Sequence, residues 1–197
     1  MPRKVDHHER RELLADALMR LAATRGLEGV SLRHVAAEAG VSTGMVQHYF
    51  RTKDEMMTFA FGMVEDRIRA RSEAAAAAAA PRDLVRGVLL QILPLDDTRR
   101  LEGHVGLAFL AYAAVKPAIQ AGVRADAGRM RGFIAQQLRQ AGADGVDPER
   151  AATGLMALVD GLGMQLLSRQ YPEEDAVAAL DAHLDLIFDA HTSPHRS

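Results

Sequence analysis

The sequence predicts an all-α protein, with a small helix-turn-helix head followed by a larger helical body. Three observations carry this. Leu, Ala, Met and Val supply most of the apolar content, aromatics are only 5% of the 197 residues, and β-branched runs are scarce, so strong helix formers dominate. Apolar residues recur at three- and four-residue spacing, and no segment reads as a clear strand. Proline, glycine and capping residues stand where helices would start and stop. The length leaves room for one or two domains with a substantial core.

Composition excludes several functions. No cysteine is present, which rules out disulfides, thiolate zinc sites and cysteine nucleophiles. The N-terminus, Met1-Pro2-Arg3-Lys4, opens with charge and lacks an apolar signal core. The longest apolar run, Val105 to Val115, is eleven residues, short of the ~20 that a membrane helix needs. A soluble cytoplasmic protein with no membrane partner is expected. Net charge is −2 but unevenly divided: residues 1–53 carry nine Lys/Arg against six Asp/Glu, and the other 144 carry 15 against 20. A basic head on an acidic body suits a module that faces phosphates, although ordinary surface charge accounts for it equally well.

The first helix is expected from His7 to Thr24, with Leu13, Leu14, Ala17, Leu18 and Leu21 on one face and Gly26 ending it. Ser31 caps a second helix, Leu32 to Ala39, whose inner face is Leu32, Val35, Ala36 and Ala39. Ala39-Gly40-Val41 makes a tight turn. Ser42 caps a third helix, Thr43 to Phe50, with Val46 and Phe50 inward. Thr52 caps the fourth, and Glu55 completes a Thr-x-x-Glu capping box. Met56, Phe59, Ala60, Met63, Val64 and Ile68 carry the apolar side of that helix towards Glu73, so it links head to body. The division is therefore 1–53 for the head, about 53–73 for the linking helix and 74–197 for the body. The alanine run 74–80 reads as a frayed helix end and a joint. Helices follow at Asp83 to Leu93, Arg99 to Val115 and Ala118 to Gln140. The last has a stripe of Ile119, Val123, Met130, Phe133, Ile134 and Leu138. Asp147-Pro148-Glu149 starts a helix that runs to about Gln170 and is apolar on more than one face. Its Gly154, Gly161 and Gly163 permit close helix approach. Pro172-Glu173-Glu174-Asp175 opens the final helix, with Val177, Leu180, Leu184, Ile187 and Phe188 inward. Thr192 to Ser197 reads as a disordered polar tail.

The candidate chemistry gathers between Ser31 and Lys53. Two short helices meet at a tight turn, and the second has one apolar side and one side of small and polar groups. That suits an element seated in a DNA groove and packed on a domain behind it. Gly26-Leu27-Glu28-Gly29-Val30-Ser31-Leu32-Arg33-His34-Val35-Ala36 resembles the end of helix 1 and the start of helix 2 in TetR-family repressors. Ala39-Gly40-Val41-Ser42-Thr43-Gly44-Met45-Val46-Gln47-His48-Tyr49-Phe50-Arg51-Thr52-Lys53-Asp54-Glu55 resembles that family's turn, recognition helix and start of helix 4. The Tyr-Phe pair followed closely by Lys is especially characteristic. The close match covers about residues 10–60. The rest agrees in length, helix count and a broadly apolar penultimate helix. The general character of the body suggests the choline-sensor, BetI-like subgroup, and no single motif carries that.

The resemblance implies a sequence-specific DNA-binding transcriptional regulator, a repressor by family default, with no enzymatic activity and no cofactor. On this reading Thr43, Gly44 and Met45 enter the major groove. Thr43 bonds a base edge or phosphate, Gly44 lets the backbone come close, and Met45 touches a thymine methyl. Gln47 is the best base reader, because its amide pairs bidentately with adenine. His48 reaches a base or a phosphate. Tyr49 and Lys53 anchor phosphates, as do the amides at the starts of helices 2 and 4. Arg33 reads a guanine, or pairs with Glu38 or Glu28. Gln47 and His48 also make sense as solvated polar residues, and Tyr49 as a packed ring donating only its hydroxyl. The recognition helix has no Lys or Arg, so charge attraction falls to Lys53, Arg51 and the N-terminal basic residues.

The family binds as a two-fold dimer on a roughly palindromic operator of double-stranded DNA. The matching dimer surface is the helix pair 118–140 and 147–170, which makes a four-helix bundle with its mate or else only closes the monomer's core. The family's body encloses a small-molecule effector site. Candidate lining residues are His104, Phe109, Tyr112, Met130, Phe133, Met156, Asp160 and Met164, with Gln137 as a further polar handle. An apolar stripe is equally plain core. A body controlled by a protein partner is the alternative. A helical-bundle enzyme is disfavoured, because there is no phosphate-binding glycine loop, G-x-S-x-G or H-E-x-x-H. For a metal, His7-His8 and His191-x-x-x-His195 lie near frayed ends, and Asp181, His183 and Asp185 have no second pair of ligands.

Overall fold

Helix boundaries fall where caps and breakers stand. A computed structural model describes residues 7–26, 30–75 and 80–189. Among these residues the chain forms nine helices and no strand: α1 (His7–Arg25), α2 (Leu32–Glu38), α3 (Thr43–Tyr49), α4 (Lys53–Ala75), α5 (Pro81–Ile92), α6 (Asp97–Ala114), α7 (Pro117–Gln140), α8 (Pro148–Leu167) and α9 (Glu173–Phe188). Ser31 Oγ accepts from the His34 N–H, and the Ser31 N–H donates to His34 Nδ1, both at 3.3 Å, so a histidine takes the acid's part in a capping box. Ser42 Oγ accepts from the Met45 N–H at 3.2 Å. Asp147 accepts from the Glu149 and Arg150 N–H groups at 3.0 Å, with Pro148 at the first helical position. Gly26, Gly40 and Gly142 follow α1, α2 and α7 at φ +69°, +67° and +67°, where a Cβ would be strained.

Several boundaries differ from expectation. Helix α5 starts at Pro81, not Asp83, because proline fits the first helical position, where the N–H has no partner to lose. The alanine run is split: Ala75 ends α4, Ala80 caps α5, and 76–79 lie outside the described residues. Also outside are the expected tail with His191 and His195, the basic pair Arg3 and Lys4, and Glu28. Helix α8 stops at Leu167, not Gln170. Arg169 takes φ +54°, and the Gln170 and Arg169 N–H groups turn back to the Gln165 and Leu166 carbonyls, a Schellman closure without glycine. Thr52 Oγ1 accepts from the Glu55 N–H at 3.1 Å as expected, but the Glu55 carboxylate reaches back to the Arg51 N–H at 3.0 Å instead of closing the box on Thr52.

The described chain falls into two compact units. One takes the chain up to Arg67 and His104–Ile119; the other takes Ile68–Gly103 and the chain from Gln120. In the first unit α1 packs on α2 and α3, and α2 on α3. Leu14, Leu18, Val35, Val46, Phe50 and Met56 are buried there. Leu13, expected inward, is 40% exposed. Five residues before Leu18 it points about 140° away from it at ~100° per residue, while Ala15, Met19 and Ala22 are buried in its place. The expected head ended at residue 53, whereas this unit also holds most of α4, most of α6 and the first residues of α7. Phe109 stacks on Phe61 at 4.2 Å, and Tyr112 donates to Asp54.

In the second unit α5, α8 and α9 pack together around Val85, Leu89, Leu155, Val159, Leu180 and Leu184, joined by Ile134 and Leu138 of α7. The remainder of the expected α7 stripe, Ile119, Val123, Met130 and Phe133, is only partly buried. Arg86 holds Asp181 bidentately, its Nη2 at 2.9 Å, and Arg82 pairs with Asp185 one turn away, lacing α5 to α9. Among the described residues, nothing outside the helix's own backbone and the adjoining residues stands within 4 Å of a Cβ placed at Gly154 or Gly161, and at Gly163 only Pro94 Cδ does, at 3.9 Å; a closer approach is at Gly103, where Leu167 would lie 3.3 Å away. Among the described residues no helix is long and apolar enough to cross a membrane.

Candidate nucleic-acid interface

Helix α3 has seven residues and fully buries one of them, Val46, with Phe50 buried just beyond its end. A turn of about 100° per residue puts Phe50 near Val46 and sends Gly44 and His48 to the opposite side. Thr43 and Gln47 share one flank, Met45 and Tyr49 the other. Exposure follows this geometry: Gly44, Met45, Gln47 and His48 are exposed, and Thr43 and Tyr49 are half-buried. Six of the eight residues expected to meet DNA therefore converge on one short helix, oriented by a core behind it. Its outward face offers an amide with donor and acceptor, two hydroxyls at the flanks, an imidazole and an apolar thioether.

The face carries no Lys or Arg, and cations flank it. Arg33 is exposed on α2. Its expected partner Glu38 is held by Arg20 at 2.8 Å. Arg11 is committed elsewhere: its guanidinium lies 4.6 Å from the Phe50 ring and 4.4 Å from Phe59, and pairs with Glu55 at 3.0 Å. Lys53, half-buried, opens α4 with its Nζ 5.7 Å from the centre of the Tyr112 ring. Asp54 and Glu55 follow at once, so the first turn of α4 already holds acids where the resemblance implied a phosphate.

Two neighbours of this surface escaped the sequence reading. His7, from α1, packs at a tilt of 55° against Tyr49 with centroids 4.8 Å apart, and His48 meets the same ring edge-on at 5.0 Å. Lys116 lies 3.6 Å from Asp54 and 5.1 Å from the Tyr112 ring. Burial pushes the Tyr112 phenol up, and its hydrogen bond to Asp54 adds to the shift; Lys116 is raised by its bond to Tyr112 and by Asp54. No periodicity joins residues this far apart in the chain.

The residues expected to line an effector site divide between the units. His104, Phe109 and Tyr112 belong to the first, and Met130, Phe133, Met156, Asp160 and Met164 to the second. Phe109 is buried against Phe61, and Tyr112 is engaged by Asp54. Met130, Phe133 and Met156 pack partly buried on the second core. Gln137 is buried, whereas Asp160 and Met164 face outward on α8, Met164 at 52% exposure. Protein crowding around Asp160 still pushes its carboxyl up. Among the described residues no three His, Asp or Glu side chains are grouped to hold a metal.

Comparisons with known proteins identify the family. The family described as bacterial regulatory proteins, tetR family, matches residues 14–58. The family described as BetI-type transcriptional repressor, C-terminal, matches residues 81–189. The chain is 35% identical over 174 residues to the HTH-type transcriptional regulator PksA of Bacillus subtilis, covering 85% of this chain and 83% of that protein. A solved transcriptional regulator from Rhodococcus sp. Rha1 superposes with a TM-score of 0.85 at 36% identity, over 93% of this chain and 98% of that one. A regulator from Saccharomonospora viridis, solved in complex with choline, gives 0.75 at 26% identity, over 92% and 96%. These relatives are transcriptional regulators rather than enzymes. The outward face of α3, the head it sits on and the region that follows thus have one explanation: the chain belongs to the TetR family of helix-turn-helix, DNA-binding transcriptional regulators, with a C-terminal region of the BetI type.

Proposed function

We propose that this regulator is a repressor that acts in the cytoplasm as a homodimer, with one α3 in each half of a palindromic operator, and that a small organic molecule bound in the BetI-type region releases it. The observation that carries this reading is the α3 surface, where Gly44, Met45, Gln47 and His48 stand exposed above a buried Val46. Gln47 reads a base, Thr43 and Met45 support it from either flank, His48 and Arg33 add contacts, and Tyr49 and Lys53 anchor phosphates. Helices α7 and α8 supply the dimer face. From Pro117 to Gly132 no α7 side chain is buried, and α8 leaves Met164 exposed and the space over Gly154 and Gly161 open.

Selection of binding sites from random DNA tests the reading. The expected product is a two-fold palindrome, since a symmetric dimer reads symmetric half-sites. No enrichment, or a single asymmetric half-site, overturns it. Choline, the ligand of the Saccharomonospora viridis neighbour, is the first compound to titrate into the operator complex. Dissociation by choline assigns the effector class, and an intact complex removes choline from the reading.

A further inference from the structure

We propose that His7 is a positioning residue of the DNA interface: its ring, packed at a tilt against Tyr49, holds the phenol hydroxyl towards the phosphate backbone. The inference rests on Tyr49 as a phosphate anchor. Tyr49 is half-buried on the flank of α3, at the last residue of the helix. Two rings bound it. His48 meets it at 5.0 Å and 86°, and His7 at 4.8 Å and 55°. His48 belongs to the same helix and moves with it. His7 arrives from α1, so it alone of the pair fixes the phenol against a second element.

The first turns of α1 are themselves fastened. His8 lies 3.2 Å from Glu12 and edge-on to Phe59 at 5.9 Å. Arg11 sits between Phe50 and Phe59 and on Glu55. His7 therefore presses on Tyr49 from a held base. A hydroxyl that must meet one phosphate oxygen binds better when its rotor is ordered before the DNA arrives, and an aromatic pair supplies that order.

The test measures affinity for the selected operator duplex, with thermal midpoints in parallel. The proteins are the wild type, His7→Ala, His7→Phe, Tyr49→Phe and the double variant His7→Ala/Tyr49→Phe. His7→Ala is expected to weaken binding by about three- to tenfold. His7→Phe restores most of the loss, because the ring contact remains. His7→Ala adds no loss once the Tyr49 hydroxyl is gone. No loss in His7→Ala, an equal loss in the Tyr49→Phe background, or no recovery in His7→Phe each overturns the positioning role. An equal loss that tracks a lowered midpoint marks a purely structural contact and overturns it too. Tyr49→Phe binding like the wild type overturns the phosphate anchor and the bracing together, and leaves base reading by Gln47 standing. His7 is exposed, so its substitution removes no core group.

Discussion

On the proposed reading Gln47 and Lys53 hold the same complex by different physics, and single substitutions would separate them. An amide that pairs with one base edge contributes only where that base is present. Gln47→Ala should cost about 1–3 kcal/mol on the selected operator and almost nothing on scrambled DNA. An ammonium beside a phosphate acts on every sequence. Lys53→Ala should weaken cognate and scrambled duplexes alike and lower the salt slope by about 1. Binding isotherms on both duplexes at several salt concentrations decide it; a Gln47→Ala protein that keeps the parent's full base preference would sink the assignment. The outward face of α3 was legible in the sequence, because Val46 and Phe50 at i and i+4 determine which way the neighbours of a short helix point. Which of the head's cations are engaged by acids was not legible. Of the nine Lys/Arg in residues 1–53, Arg11 and Arg20 are paired with Glu55 and Glu38, and only the folded arrangement brings those acids to them.

Helix ends were legible where a local side chain makes them. Ser31, Ser42 and Asp147 cap within three residues of themselves, so pattern alone locates them. The end of α8 was not legible, because a closure through Arg169 at φ +54° carries no glycine to announce it. What packs on what was harder still. The α7 stripe is periodic along its whole length, yet only its C-terminal end meets the second core. Between elements, the α5–α9 ladder is the clearest electrostatic join, and it carries a pH prediction. The Arg86 side chain, hydrogen-bonded to Asp181, holds that carboxyl below its usual range despite some burial, and Asp181 in turn raises Arg86. A carboxyl lowered by folding adds stability that is full above its unfolded value, about pH 4, and lost as pH falls through its lower folded value. Both side chains are about one-third exposed, so the contribution is about 0.5–1 kcal/mol after screening. Asp181→Asn should therefore melt earlier than the parent at pH 7, and the gap should close as the pH drops below about 4. A gap unchanged between pH 7 and pH 3 in thermal melts would show that the lost contact is not ionic.

At the scale of the whole molecule, the close motif match reached only as far as the head, the BetI-like character of the body was expected without a motif to carry it, and the family comparison bears it out over residues 81–189. Sequence periodicity has no way to say whether an apolar face is covered by its own chain or by a second copy. Met164 poses that question directly, because it is 52% exposed on α8 beside open space at Gly161. If α7 and α8 make the dimer face, Met164→Glu buries an unpaired carboxylate in it, and desolvation opposes association. The monomer tolerates the change, since Met164 lies outside the second core, so the thermal midpoint of the separated subunit stays that of the parent. Light scattering should then report a monomer. Linked heads make the second half-site an intramolecular event, which raises affinity by roughly 10²–10⁴. The variant should accordingly bind the full palindrome no more tightly than one half-site, while its preference among half-site sequences, which the proposed reading gives to Gln47 and Thr43, stays unchanged. A Met164→Glu protein that remains dimeric and keeps its full operator affinity would place the interface on another surface.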